Sequence, residues 1–409
     1  MAYQTNSRIL VAIKRETTIG TAATAASAQQ MRIVDSPGLE LSRAIIQSQE
    51  KRSDALKDMG RLGGNGVDGS YNFQATVGGA TDILLEAIMR STWAVANAIT
   101  VDGTAPKTSF TVDSTSQFTY IGTSTLLALG LRVGDVCTFT NMSTAANNDI
   151  RLRIATINAA GLVVTVAGTP LTVQTADAAA TLTIMKKLTT PATPTRYSHT
   201  IEQYDAETGV DLTELFLGCR LVGLDFSFKP GQMATYQATF MGLDRTQLVT
   251  GTSPWFTTPT LTTGLALIAD DSAIRYNGAD VASFTGCDLS FKIAGSREAV
   301  IGSFVSPDIA DGDLEVSASI SALRSDFANL TLFGAETEFE LSILLQEPAA
   351  TGARPAIGLH FSRVKIVKLN APVGGGDGFK KETLSLMVGP KVAATGYDGG
   401  IASIFSSAA

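Results

Sequence analysis

The sequence predicts a mainly β protein: a duplicated β-sandwich or barrel domain, each copy with a flanking α-helix, plus a small β-barrel domain inserted into the first copy. Three observations carry this. Asp68 to Trp93, DGSYNFQATVGGATDILLEAIMRSTW, returns as Asp311 to Glu336, DGDLEVSASISALRSDFANLTLFGAE. Each opens on Asp-Gly and alternates polar with apolar residues (Tyr71, Phe73, Ala75, Val77; Leu314, Val316, Ala318, Ile320). Each then changes to helical spacing, which reads as turn, strand, short loop, amphipathic helix. Tyr197 to Leu224 also lies over Glu340 to Val367 without a gap, setting Thr208-Gly209 on Thr351-Gly352 and Arg220 on Arg363. Finally, the first pair is offset by 243 positions (68 to 311) and the second by 143 (220 to 363), so the first half holds 100 residues (243 less 143) that the second lacks. These fall between Trp93 and Tyr197 and form the insertion.

The expected organisation is a discontinuous first domain (1–94 and 196–250), an inserted domain (95–195), a linker (251–262), a second domain (263–395) and a tail (396–409). Length and a 44% hydrophobic content allow two or three cores. Charged residues make up 17%, Thr, Ala, Ser and Gly filling the difference, as in a β-rich domain rather than a disordered chain. A net charge of −7 argues against a nucleic-acid binder that works by phosphate attraction. No apolar run reaches membrane-span length, and MAYQTNSRIL lacks the basic and apolar regions of a signal peptide, so folding in a cytoplasm is expected. Cys137, Cys219 and Cys287 sit in separate modules and apolar strand contexts, which suits buried free thiols.

In chain order, RILVAIKR (8–15) reads as a strand and MRIVDSPGLELSRAIIQS (31–48) as strand, turn, strand. From Gln49 to Gly66 charges of both signs mix and glycines close the segment, a long loop of the functional kind, with a counterpart at Ala294 to Ala310. Thr81-Asp82 can cap a helix carrying Ile83, Leu84, Ala87 and Ile88 on one side. In the insertion, short β segments are separated by Gly and Asn, with Gly134-Asp135 and Asn147-Asn148 as hairpin-type turns. TTPATPT (189–195) reads as its exit linker. GLDFSFKPGQMATYQATFMG closes the first copy, and strands near 364–369 and 382–387, joined by PVGGGDG, close the second. Residues 396–409 suit a flexible tail or an edge clamp.

Catalytic patterns do not emerge. His199 and His360 lie in predicted strands without metal-type neighbours, which fits structural histidines. No GxSxG, Walker, HExxH or CxxC pattern occurs, PVGGGDG has neither lysine nor following helix, and aromatics are not interleaved with Arg or Lys. No cofactor, metal or catalytic residue is expected, although scattered carboxylates leave a glycosidase pair open.

With these phrases in order (ETTIGTAA, the charged loop after LELSR, DGSYNFQATV running into TDILLEAIM, and ATYQATFMG), the chain resembles the major tail tube proteins of long-tailed, non-contractile bacteriophages, and within them the Chi-like group. GLRVGDVCTFTN resembles a module inserted in such proteins. The resemblance implies β-sandwich domains whose sheets join edge to edge into a continuous barrel, in rings stacked as a tube. Two such domains per chain suggest a ring of three chains with pseudo-sixfold symmetry; six chains with one true tube domain each is the alternative. Implied partners are further copies, a tape measure protein inside, tail terminator and tail tip proteins, and double-stranded DNA in transit past an acidic wall. Localisation would be the virion tail, after assembly in the host bacterial cytoplasm. Glu50, Lys51, Arg52, Asp54, Lys57, Asp58 and Arg61, with Arg297 and Glu298 in the second half, are the candidate inter-subunit and inter-ring contacts. The insert is expected to project outward. A single-ring terminator or secretion-tube protein, or a carbohydrate-binding or hydrolytic β protein, are the rival classes.

Overall fold

A computed structural model describes residues 8–57, 59–207, 210–249, 251–348, 352–373, 378–392 and 396–408. The first copy opens with β1 (Ile9–Arg15), β2 (Gln29–Met31), β3 (Gly38–Ile46), β4 (Arg61–Gln74) and α1 (Ala80–Met89). The insertion supplies β5 (Asn97–Thr100), β6 (Lys107–Ser114), β7 (Gln117–Gly122), β8 (Val136–Thr140), β9 (Leu152–Ile157), β10 (Val163–Val166), β11 (Gln174–Asp177) and β12 (Thr181–Ile184). The chain returns through β13 (Lys186–Thr189), β14 (His199–Glu207), β15 (Val210–Phe228), β16 (Thr235–Gly242), β17 (Asp244–Leu248) and β18 (Thr260–Leu261). The second copy comprises β19 (Ser272–Tyr276), β20 (Ala279–Val281), β21 (Phe284–Arg297), β22 (Ile309–Leu323), α2 (Ala328–Gly334), β23 (Phe339–Gln346), β24 (Ala356–Asn370), β25 (Lys381–Val388) and β26 (Ser403–Ser406).

Alternation decides the strands. In β16, TYQATFMG, every second side chain is buried, the period a strand shows when one face meets a core. Eight strands form one antiparallel sheet across both copies, in the order β3, β4, β16, β15, β21, β22, β25, β24. Only the C-terminal parts of β15 and β24 join it. Their N-terminal parts turn into a second layer: β15 pairs there with β14 and β17, and β24 with β23 and β26. The turn in β15 follows Gly218, whose φ of +66° suits glycine. Between the layers one hydrophobic core runs through both copies, including Phe73, Phe216, Phe226, Phe240, Phe291 and Phe361.

Three β-bulges align the copies. The step between Arg43 and Ile45 in β3 recurs between Ile293 and Gly295 in β21; that at His199/Ile201 recurs at Phe339/Leu341; that at Leu221/Gly223 recurs at Ile366/Lys368. Thus β3 and β21 correspond 250 positions apart (43 to 293) and β15 and β24 145 apart (221 to 366). Leu62, opposite Ile45, corresponds to Asp311, opposite Gly295, so β4 and β22 are 249 apart, not the 243 read from the Asp-Gly pairs. Likewise Arg220 corresponds to Lys365 rather than Arg363. A sequence match aligns residue types, whereas a ladder aligns positions, and each Asp-Gly serves a different point along its strand.

The insertion has its own core around Phe110, Phe118, Tyr120 and Phe139 and a sheet ordered β11, β6, β7, β10, β9, β8, β12, β5. Asn147-Asn148 is not a hairpin turn: Asn147 is buried, donating to the Thr172 carbonyl and Gln174 Oε1. Although the insertion interrupts the first copy in sequence, it docks on the second. Val136 and Met185 pack with Leu344, Ala356 and Phe405, and Arg153 meets Asp280 at 2.9 Å. Gly134 (φ +89°) passes so close to His360 that a Cβ would lie 2.2 Å from its ring. At the C-terminus, β26 lies between β24 and β13, so it clamps an edge.

Candidate functional site

Two edges of the eight-stranded sheet are open. Among the described residues β3 pairs on one side only, with β4, and the Ile366–Asn370 part of β24 pairs only with β25. One face of this sheet is the core. The other is a groove of about 1050 Å³, lined by short polar side chains such as Asn72, Gln237, Ser317 and Ser385 together with exposed Val34, Val367 and Met387. On the strands between β4 and β25 this face presents Asp225, Asp288, Asp313 and Glu315 against Lys292. Ser227 Oγ donates to Asp288 at 2.6 Å, and Ser290 Oγ donates to Asp225.

The two helices differ in a way that their sequences do not. Eight of the ten residues of α1 are buried. Part of that cover comes from the second copy: Arg90, just past the helix, donates to the Gly312 carbonyl at 2.9 Å, and Asp82, paired with Lys186 of β13 at 2.8 Å, also accepts from Ser406 of β26. The corresponding α2 has no buried residue, and Phe327, Leu330 and Phe333 are exposed.

The joint between copies is specific. β15 runs against β21 with Leu224 opposite Phe291 and Asp225 opposite Ser290. Beyond this ladder Arg220, almost wholly buried, donates to the Ile309 carbonyl and meets Asp308 at 2.7 Å and Asp311 at 3.1 Å. Within the chain Arg297, a candidate inter-subunit contact, donates to the carbonyls of Val67 (2.9 Å) and Gly242 (2.8 Å) and pairs with Asp68, stitching the second copy to the first. The rest of its arm follows: the Asn65 amide donates to the Phe304 carbonyl at 2.7 Å and Arg43 lies over the Phe304 ring at 4.8 Å. Glu298 is exposed.

The first arm has a different environment. Glu50, Lys51, Arg52, Asp54 and Lys57 are exposed, Arg61 starts β4 opposite Ile46, and Asp58 lies outside the described residues. Arg52 and Asp54 pair at 2.8 Å, and the hydrogen bond from Arg52 holds the Asp54 carboxyl below its ordinary range. The charges of this arm are visible in the sequence, whereas the joint is not, because Arg220 lies far along the chain from Asp308 and Asp311.

Both histidines are interior. Burial lowers each to about 4; for His199 the Arg15 charge adds to this, and for His360 the Lys391 charge. His360 Nδ1 shares a 2.7 Å hydrogen bond with Ser342 Oγ. The three cysteines are buried and free. Among the described residues no group of three or more His, Cys, Asp or Glu is placed to hold a metal, and no helix is long and apolar enough to cross a membrane.

A duplicated sheet with two open edges and a built-in joint between its copies is the framework of a structural subunit. The family model for phage tail tube proteins matches residues 6–388, and the chain belongs to that family. It is a structural protein of the phage tail tube. No curated protein matches the chain.

Proposed function

We propose that three chains close into a ring with pseudo-sixfold symmetry, that rings stack into the tail tube of a non-contractile phage, and that the groove face lines a conduit for double-stranded DNA. The observation that carries this is the continuous eight-stranded sheet with one open edge in each copy. Because the copies already meet edge to edge, the same contact between chains propagates the sheet, and three chains supply three times eight strands to one closed barrel. Closure also removes exposed edges that would otherwise recruit strands without limit.

The polar groove face suits passage. Its short Ser, Thr, Asn and Gln side chains offer no stacking platform, and the excess of acids on its central strands repels phosphate at close range. The arm from Gln49 to Gly60 is the ring-to-ring contact in this reading. It is long, exposed and of mixed charge, which suits a salt-sensitive encounter that orders on stacking. The insertion, seated on the layer away from the groove, would decorate the outside. The resemblance adds a tape measure protein inside the tube and terminator and tip proteins at its ends.

Negative-stain electron microscopy of the purified protein at rising concentration, with rotational averaging of end-on views, tests this. Hollow tubes with threefold modulation are expected. Discrete rings that never stack would point to a terminator, true sixfold averages would replace three chains by six, and a persistent monomer would remove the proposal.

A further inference from the structure

The joint inside the chain has an unfilled counterpart at each open edge, and the bulge alignment gives its register. We infer that β24 of one chain pairs antiparallel with β3 of a second copy, in the register that β15 adopts on β21, and that this contact covers α2. The inference rests on the ring proposed above and specifies its seam.

Inside the chain Gly223, Leu224 and Asp225 face Lys292, Phe291 and Ser290. Carrying β15 forward by 145 and β21 back by 250 places Lys368 opposite Ser42 of the next chain, Leu369 opposite its Leu41, and Asn370 opposite its Glu40. The chemistry at these positions agrees. Leu369 and Leu41 are apolar, half-buried and packed against the core, on the side where Leu224 and Phe291 are fully buried at the internal joint. Lys368 and Glu40 are exposed on the groove side, where this register makes them diagonal neighbours of opposite charge. A slip of one residue would send the leucines into the groove.

The helices provide an independent observation. α1 packs on β15 and also touches β21 of the other copy. α2 packs on β24 in the same way, but among the described residues no strand beyond β24 covers it as β21 covers α1, although the Arg324 guanidinium lies over the Phe327 ring at 4.6 Å. Phe327, Leu330 and Phe333 are exposed, while the β3–β4 hairpin, which takes the place of β21–β22, exposes Ile45, Ile46 and Leu62. Two apolar patches unmatched within one chain lie at opposite open edges. A second copy brings them together, whereas a small ligand or an unrelated protein would leave one of them bare.

The test is a cysteine pair, Glu40→Cys with Asn370→Cys, set against a shifted pair, Ser42→Cys with Asn370→Cys. Opposed side chains in a ladder bring Cβ atoms within disulfide reach, but diagonal neighbours lie about 7–8 Å apart. Tubes assembled under reducing conditions and then oxidised should give a denaturing-gel ladder that ends at three chains for the first pair and remain uncrosslinked for the second. Cross-linking of the shifted pair, or intact tubes in which the 40/370 pair stays reduced, would overturn the register while leaving the ring. A 40/370 ladder continuing to six chains would support the seam and overturn the three-chain ring. As a second variant, Leu330→Asp should leave the monomer folded and abolish tubes; normal tubes from it would overturn burial of α2.

Discussion

Replacing Arg220 with Leu should loosen the joint between the two copies without unfolding either. Arg220 and Asp311 have side chains 7% and 8% exposed and lie 3.1 Å apart, so the substitution strands a nearly buried carboxylate. Asp308, 47% exposed, keeps its hydration and contributes little. Arg196, half exposed at 3.8 Å, partly compensates Asp311. Breaking a buried pair by removing one partner costs about 3–5 kcal/mol, and the remaining Arg196 places the expected loss near the lower end, about 3 kcal/mol. At about 1.4 kcal/mol per tenfold, that is roughly a hundredfold rise in hydrogen exchange for amides that open with the joint. The amides to follow are those of the 298–311 arm and β21, with α1 as an internal reference. Adding Asp311→Asn to Arg220→Leu removes the stranded charge and should recover a large part of the loss. Exchange in the arm unchanged by Arg220→Leu, or a double variant no better than the single one, would refute the reasoning.

Phe405→Ala empties a site shared by Val136, Met185, Leu344 and Ala356; a loss of about 3–5 kcal/mol is expected, read as earlier thermal release of the insertion from the second copy by limited proteolysis. For pH dependence, His199 is held neutral in the fold down to about 4 against an ordinary value of 6.5. Between these values the unfolded chain binds a proton that the fold does not, so stability falls as pH drops through this window, by at most about 3 kcal/mol, and His199→Phe should flatten that limb in urea titrations. Asp135 works oppositely: burial raises it to about 6, so its unfavourable contribution is relieved as pH falls below that value. Ser319→Lys with Ser385→Lys places cations on the groove face; assembled tubes should then retain short duplex DNA with an affinity that falls steeply with salt, unlike wild-type tubes. Replacing residues 49–59 by a short Gly-Ser linker should leave rings but prevent stacking, and the replacement must stop there because Arg61 begins the β4 ladder.

Much of the molecule was written locally. Strict alternation in TYQATFMG, the helical spacing of TDILLEAIM and the repeat of a strand-loop-helix unit follow from side chains that each need one buried face, a demand made within a few residues. The charged arm was visible for the same reason, because a run of mixed charge between glycines has no core to join. What the sequence by itself determined is therefore the β class, the duplication and the inserted module. The tertiary structure decided the register of the copies, the seat of the insertion on the second copy, the spending of Arg297 and Arg220 on the internal joint, and the difference between a covered α1 and a bare α2. Those depend on bulges that add a residue with no compositional mark, and on contacts between residues such as Arg220 and Asp311 whose meeting no local pattern records. Pairing across a sheet is chosen by the whole core at once, so only the folded chain shows which edges were left open.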